Sequence, residues 1–255
     1  MTINIKKAEE KAGIHLQKHG LDPANAPKMR VGICLDVSGS MSDEYHEGHV
    51  QEALGHLMGL ASHIDESQKM DVFLFHNHAM QCRHPINRNN AESYVDREII
   101  HGGHSLWGGT EYSPVIHKAY EHYFPEMTHL HTRDALSGHH EKHGGFLSGL
   151  FHKHSHDQVQ DPASIPQPTS DPVLMLFLTD GECSDESHTI RALEAGKNLP
   201  LFWAFVGIGH HSRLLREFAE ESDAEFVNLP HIRVDDDALF SAVISSKLAN
   251  WLKQF

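Results

Sequence analysis

"RVGICLDVSGS", residues 30–40, is an almost continuous apolar run that stops on an acid and then sets hydroxyls at every second position. The run "RVGICLDV" is rich in branched residues, so it reads as a β-strand covered on both faces. Strands covered on both faces belong to parallel α/β sheets, whose connections lay helices over each side. Where such a strand ends in a tight turn, the curling backbone points Asp36, Ser38 and Ser40 towards one small volume. Asp, Ser and Gly also suit turns for purely local reasons. The pentapeptide alone is therefore equally an ordinary turn, and the rest of the chain has to decide.

Working outward, apolar positions Val50, Leu54, Leu57, Met58, Ala61 and Ile64 recur at helical spacing from about His49 to Ile64. "KMDVFLF" is a second buried strand, and "HNHAMQCRH" a short neighbour returning along the edge. "NAESYVDREI" predicts a helix beginning near Asn89, and "TEYSPVIHKAYEHYF" another that Pro125 ends. Strand patterns return at "PVLMLFLTD" and "LFWAFVGIG", followed by helical patterns "ESHTIRALEAG" and "SRLLREFAE". A short "AEFVNL" precedes a single closing helix, "DDALFSAVISSKLANWLKQF", continuing to about Trp251 or Leu252. This alternation predicts an α/β fold: a doubly wound, mainly parallel sheet flanked by helices.

Residues 1–27 read as an N-terminal extension or edge element, with 3–20 forming either an edge strand or a short helix. Residues 28–255 form one domain, a size that a single α/β core can reach. Within it the pattern lapses over 129–171, a His-rich stretch with Gly, Pro and one apolar patch, "FLSGLF". It reads as a surface insertion.

The charge is strongly acidic, with 21 Lys and Arg against 35 Asp and Glu. Long-range attraction to nucleic acid or an anionic membrane is disfavoured, and a cation or basic partner is favoured. No run approaches the ~18 consecutive apolar residues of a membrane span, and the amino terminus lacks a signal-peptide pattern. The three cysteines Cys34, Cys82 and Cys183 are scattered, as in a reducing compartment. The expectation is a cytoplasmic protein without stable membrane insertion.

In an open parallel sheet the functional crevice lies beyond the carboxyl ends of the strands. "DVSGS" ends the first strong strand, and "TDG", residues 179–181, ends "PVLMLFL". Two acidic turns thus meet the same rim. Between them in sequence, "SLWGGTEY" offers two glycines for close backbone approach and then Thr110, read as opening a helix. Hard divalent cations take carboxylate, hydroxyl and water oxygens. Ser38, Ser40 and Thr110 supply neutral oxygens, Asp36 and Asp180 the charge, and one position is left for an external ligand.

The set "DVSGS", "GGT" and "LTDG", in this order and on these elements, resembles the metal-ion-dependent adhesion site of von Willebrand factor type A domains. The stretches "DVSGSMSDEYHEGHVQEALGHLMGLA" and "KMDVFLFHNHA" resemble more narrowly the bacterial A domain of the tellurium-resistance TerF type. The resemblance implies a binding module rather than an enzyme. It implies Mg2+, or Mn2+ or Ca2+ in its place, held by Asp36, Ser38, Ser40, Thr110 and Asp180, with an Asp or Glu of a protein partner completing the shell. A role in tellurium or metal stress is part of the same implication.

Two rival functions remain open on sequence. The 25 histidines include the alternating trio His152, His154 and His156, whose imidazoles suit Zn2+ or Ni2+ and would make a transition-metal buffer, although a hydrophilic, solvated loop explains them equally. His76 and His78, and His101 and His104, are weaker versions of that pattern. A metal-dependent hydrolase is the other rival, with His104 or Asp43 as base. The chain has only two strong carboxylates at the rim and no GxSxG or GxxxxGK[ST] motif, and Cys183 has no evident activating base.

Overall fold

The computed structural model describes residues 5–25, 27–125, 171–209, 212–233 and 235–255. The His-rich stretch read as a surface insertion, with His152, His154 and His156, lies outside the described residues. Six strands form one sheet: β1 (Arg30–Asp36), β2 (Asp71–Phe75), β3 (Ala79–Gln81), β4 (Val173–Thr179), β5 (Leu201–Ile208) and β6 (Ala224–Leu229). Their order is β3-β2-β1-β4-β5-β6, parallel throughout except for β3, which runs antiparallel to β2 at the edge.

Strand alternation feeds a core on each face. Ile33, Leu35, Leu174, Leu176, Leu178, Phe202, Ala204 and Val206 point to one face, Cys34, Met175, Phe177, Trp203 and Phe205 to the other. The first face is covered by helices α1 (Ile5–Lys18), α3 (His49–Ile64), α7 (Asp236–Val243) and α8 (Ser246–Leu252). The second is covered by α4 (Ser113–Tyr123), α5 (Glu186–Ala195) and α6 (Arg213–Glu221). A short α2 (Ser42–His46) follows β1 at the rim. The doubly wound reading of the apolar runs holds, including the return strand β3.

One open alternative is settled and three local expectations change. The mixed 3–20 region is helical: Ala8, Ala12 and Leu16 share a buried stripe, and α1 packs on α3. The close approach is made at Gly59, where an added Cβ would lie 2.7 Å from the Ala8 carbonyl carbon. The helix expected from Asn89 is instead a 3-10 turn (Ala91–Ser93) and a π-helical turn (Val95–Ile100). The Gln51 side chain inserts there, donating to Ala91 O and accepting from Val95 N. The single closing helix is two, because Ile244 takes an extended conformation and Ser245 starts afresh, its hydroxyl accepting from Leu248 N at 3.1 Å. Finally, Thr110 does not open a helix; α4 begins at Ser113.

At the other end of the sheet, Asp71 accepts from Tyr123 OH at 2.7 Å and from Arg30 at 2.9 Å. Burial opposes ionisation of Asp71, but His122, Tyr123 and Arg30 outweigh it and hold its pKa below the usual carboxylate value.

Candidate metal centre

The strand order reverses direction between β1, which connects towards β2, and β4, which continues towards β5 and β6. That switch point leaves a crevice at the carboxyl ends of the two strands. Asp36 ends β1 and Thr179 ends β4, so the sequence's two acidic turns face each other across it.

The turn after β1 closes on its own acid: Ser38 N donates to Asp36 Oδ1 at 2.8 Å. Ser38 Oγ and Ser40 Oγ lie 3.1 Å apart, and Ser40 Oγ donates to Asp180 Oδ1 at 2.8 Å. Thr179 Oγ1 donates to Asp36 Oδ2 at 2.6 Å. Asp36 is thus held by the Ser38 N–H and the Thr179 hydroxyl, while the Ser38 and Ser40 hydroxyls lead on to Asp180. Thr110 approaches from the third loop; a Cβ placed on Gly181 would sit 3.9 Å from Thr110 Oγ1. All five residues read from the sequence are thus brought to one rim, with Asp36 and Ser38 buried and Thr110 and Asp180 half-buried.

Residues that sequence reasoning missed complete the surround. Thr179 was read only as part of a turn, yet its hydroxyl holds Asp36; its place at the end of an apolar strand, next to Asp180, was the available signal. Tyr45 OH donates to Asp36 O at 3.0 Å, and Tyr112 OH contacts Thr179 Oγ1 at 3.3 Å. Asp185 accepts from Tyr112 N at 2.9 Å and Ser113 N at 3.0 Å, tying the loop after Asp180 to the start of α4. Burial opposes its charge, but these bonds and Thr189 hold its pKa below the ordinary value.

The electrostatics are those of a site built for positive charge. Burial pushes the Asp36 pKa up to about 6 against hydrogen bonds from Ser38 and Thr179, and the Asp180 carboxylate pushes it further up. None of the groups that set this value is cationic. Among the described residues no group of three or more His, Cys, Asp or Glu could hold a metal ion. The set is instead hydroxyl-rich with two carboxylates, the donor chemistry of a hard oxygen-seeking cation rather than of a zinc cage. The residues present fit such an ion.

The family model vWA-TerF-like, described as "vWA found in TerF C terminus", matches residues 28–133 and 143–255. The chain belongs to the TerF-like family of von Willebrand factor A domains. Among similar proteins is the uncharacterized protein YcbR of Bacillus subtilis (strain 168), 26% identical, the match covering 99% of this chain and 87% of YcbR. The von Willebrand factor type A structure from Catenulispora acidiphila is 14% identical with a TM-score of 0.53, covering 87% of this chain and 43% of that one. BatB from Bacteroides thetaiotaomicron is 14% identical with a TM-score of 0.51, covering 88% of this chain and 99% of BatB. These structural likenesses show the fold, and the A domain here spans less than half the Catenulispora chain. No described helix is long and apolar enough to cross a membrane.

Other candidates are placed differently. His76 is buried and its Nδ1 accepts from Asn77 N at 2.7 Å, so that nitrogen is committed within the fold. Glu44 pairs with His49 at 2.7 Å. Cys183 lies past Asp180 with its thiol pKa pushed up to about 11, chiefly by burial. Such a thiol is protonated at neutral pH.

Proposed function

We propose that this A domain is a divalent-cation-dependent protein-binding module. Asp36, Ser38, Ser40, Thr110 and Asp180 hold the ion, and an Asp or Glu of a protein partner binds beside them. The observation that carries the reading is the hydrogen-bonded run at the switch point, in which the Ser38 backbone N–H holds Asp36 and the Ser38 and Ser40 hydroxyls lead on to Asp180. When bound, Mg2+, Mn2+ or Ca2+ supplies a Lewis-acidic charge that attracts one further carboxylate oxygen.

The protein's part is positional. Ser38 N and Thr179 Oγ1 fix the two oxygens of Asp36, and Tyr45 holds its backbone carbonyl, so the carboxylate cannot turn away. The Ser40 hydroxyl orients Asp180 towards the same volume. A cleft of about 180 Å³, lined by Glu182, Cys183, Glu186, Arg213 and Leu214, flanks the rim past Asp180 and gives partner residues room. The overall acidity of the chain suits a partner that presents a local carboxylate amid neutral or basic surroundings.

Binding rather than turnover is favoured because, among the described residues, the rim offers two carboxylates already engaged with hydroxyls and a protonated thiol, without a nucleophile–base pair. The TerF-like membership supports a place in tellurium or metal stress. Isothermal titration with Mg2+ tests the ion directly: one equivalent is expected to bind the native chain and none to bind Asp36→Ala. Equal binding by both would overturn the assignment.

A further inference from the structure

The turn His76-Asn77-His78, which the sequence offers as a pair of alternating imidazoles, does different work. We infer that Asn77 is a positioning residue that holds Thr110 at the metal centre, an inference that rests on the cation-binding reading above.

Thr110 sits on a loop, 107–111, that belongs to neither helix nor strand, so nothing in its own secondary structure aims its side chain. Its backbone is pinned from three sides instead. The turn after β1 holds one end: Trp107 N donates to Val37 O at 2.8 Å, and Gly108 O accepts from Gly39 N at 3.0 Å. The loop after β4 holds the other: Thr110 O accepts from Ser184 N at 2.9 Å and Ser184 Oγ at 3.0 Å. The turn after β2 supplies the third side, where Gly109 N donates to Asn77 Oδ1 at 2.6 Å and Glu111 N donates to His76 O at 2.9 Å. Asn77 Nδ2 also donates to Glu111 Oε1 at 3.4 Å, so one amide grips the residues on both sides of Thr110.

The loop is held against its own preference. Trp107 stands at φ 66°, a left-handed conformation that strains a non-glycine residue and persists only where surroundings enforce it. The loop also lies flat on the turn, which is why glycines precede Thr110. A Cβ on Gly108 would lie 2.5 Å from His76 Nδ1, and one on Gly109 would lie 2.9 Å from Asn77 Nδ2. His76 completes the clasp, its buried ring accepting the Asn77 backbone N–H and so holding the backbone from which the amide projects. Without the Asn77 amide, the pin immediately before Thr110 is lost, and Thr110 Oγ1 is released from its place beside Gly181.

The test uses the full chain as native, Asn77→Ala, Asn77→Asp and Gly109→Ala. Hydrogen exchange of the Gly109 amide is followed in metal-free protein, and Mg2+ affinity by titration. Asn77→Ala is expected to speed Gly109 exchange about tenfold and to weaken Mg2+ about tenfold, the scale on which residues supporting metal ligands act. Asn77→Asp keeps the acceptor and is expected to hold Gly109 exchange near native, which a general loss of stability would not allow. Gly109→Ala, whose Cβ would press directly on the Asn77 amide and part it from the loop, is expected to weaken Mg2+ similarly. Native binding with unchanged affinity in Asn77→Ala and Gly109→Ala would overturn the clasp alone. Absence of Mg2+ binding by the native chain would overturn the cation reading, and the positioning role with it.

Discussion

Asp36 costs stability for the sake of charge. Its pKa in the fold is about 6 against an ordinary 3.8, so the metal-free folded state binds a proton more tightly than the unfolded chain. Its favourable contribution is complete below the unfolded value and is lost as pH rises through about 6. A shift of roughly two units corresponds to about 3 kcal/mol at pH 7. Metal-free Asp36→Asn is therefore expected to melt higher than the native chain at pH 7, with the gap closing near pH 4. Thermal denaturation across that range checks it, and a variant less stable at pH 7 would show that Asp36 is already compensated. Asp71 acts in the opposite sense, its stabilisation present above 3.8 and lost as pH falls further, so comparing variant with native isolates Asp36. At this scale the meeting of the five residues at one rim was legible because Asp36, Ser38, Ser40 and Asp180 sit where apolar runs stop and Thr110 follows a pair of glycines. Thr179 and Asn77 were not. Thr179 serves Asp36 across 143 positions, and Asn77 serves Gly109 across 32, pairings that no local pattern encodes.

Among the elements, strands were legible because burial on both faces leaves unbroken branched runs such as "VLMLFL", and α3 because its stripe keeps one period. Readings failed where a side chain from elsewhere, or a local hydroxyl, overrode the period. Gln51 reaches into 91–95 from α3, and Ser245 restarts the helix that apolar spacing would have continued. The mixed charge of 5–18 left strand and helix open for an element whose buried stripe is only Ala8, Ala12, Gly13, His15 and Leu16. That contact gives an expectation of its own. Because a Cβ on Gly59 would meet the α1 backbone at Ala8 and Glu9, Gly59→Ala must push α1 from α3. Overpacking of this kind costs about 1–3 kcal/mol. Denaturant unfolding is expected to show a lowered midpoint, and an unchanged midpoint would mean that α1 is not seated on α3 as described.

For the whole molecule, the sheet separates two poles. Asp36, Thr110 and Asp180 occupy the carboxyl rim, while Tyr123 at the foot of α4 and the start of β4 lie at the opposite pole. The Asp71–Tyr123–Arg30 group locks that opposite pole. The fold class could be read from the alternation of runs, since a doubly wound sheet puts the strand ends ending in acids on one rim. The account's central claim is that this rim binds a protein through an ion. It is tested most directly by capture from the native cell on the immobilised full chain, with Mg2+, with chelator, and with Asp36→Ala in Mg2+. A partner retained only by the native chain in Mg2+ is the predicted result; the same partners retained equally in all three conditions would contradict it.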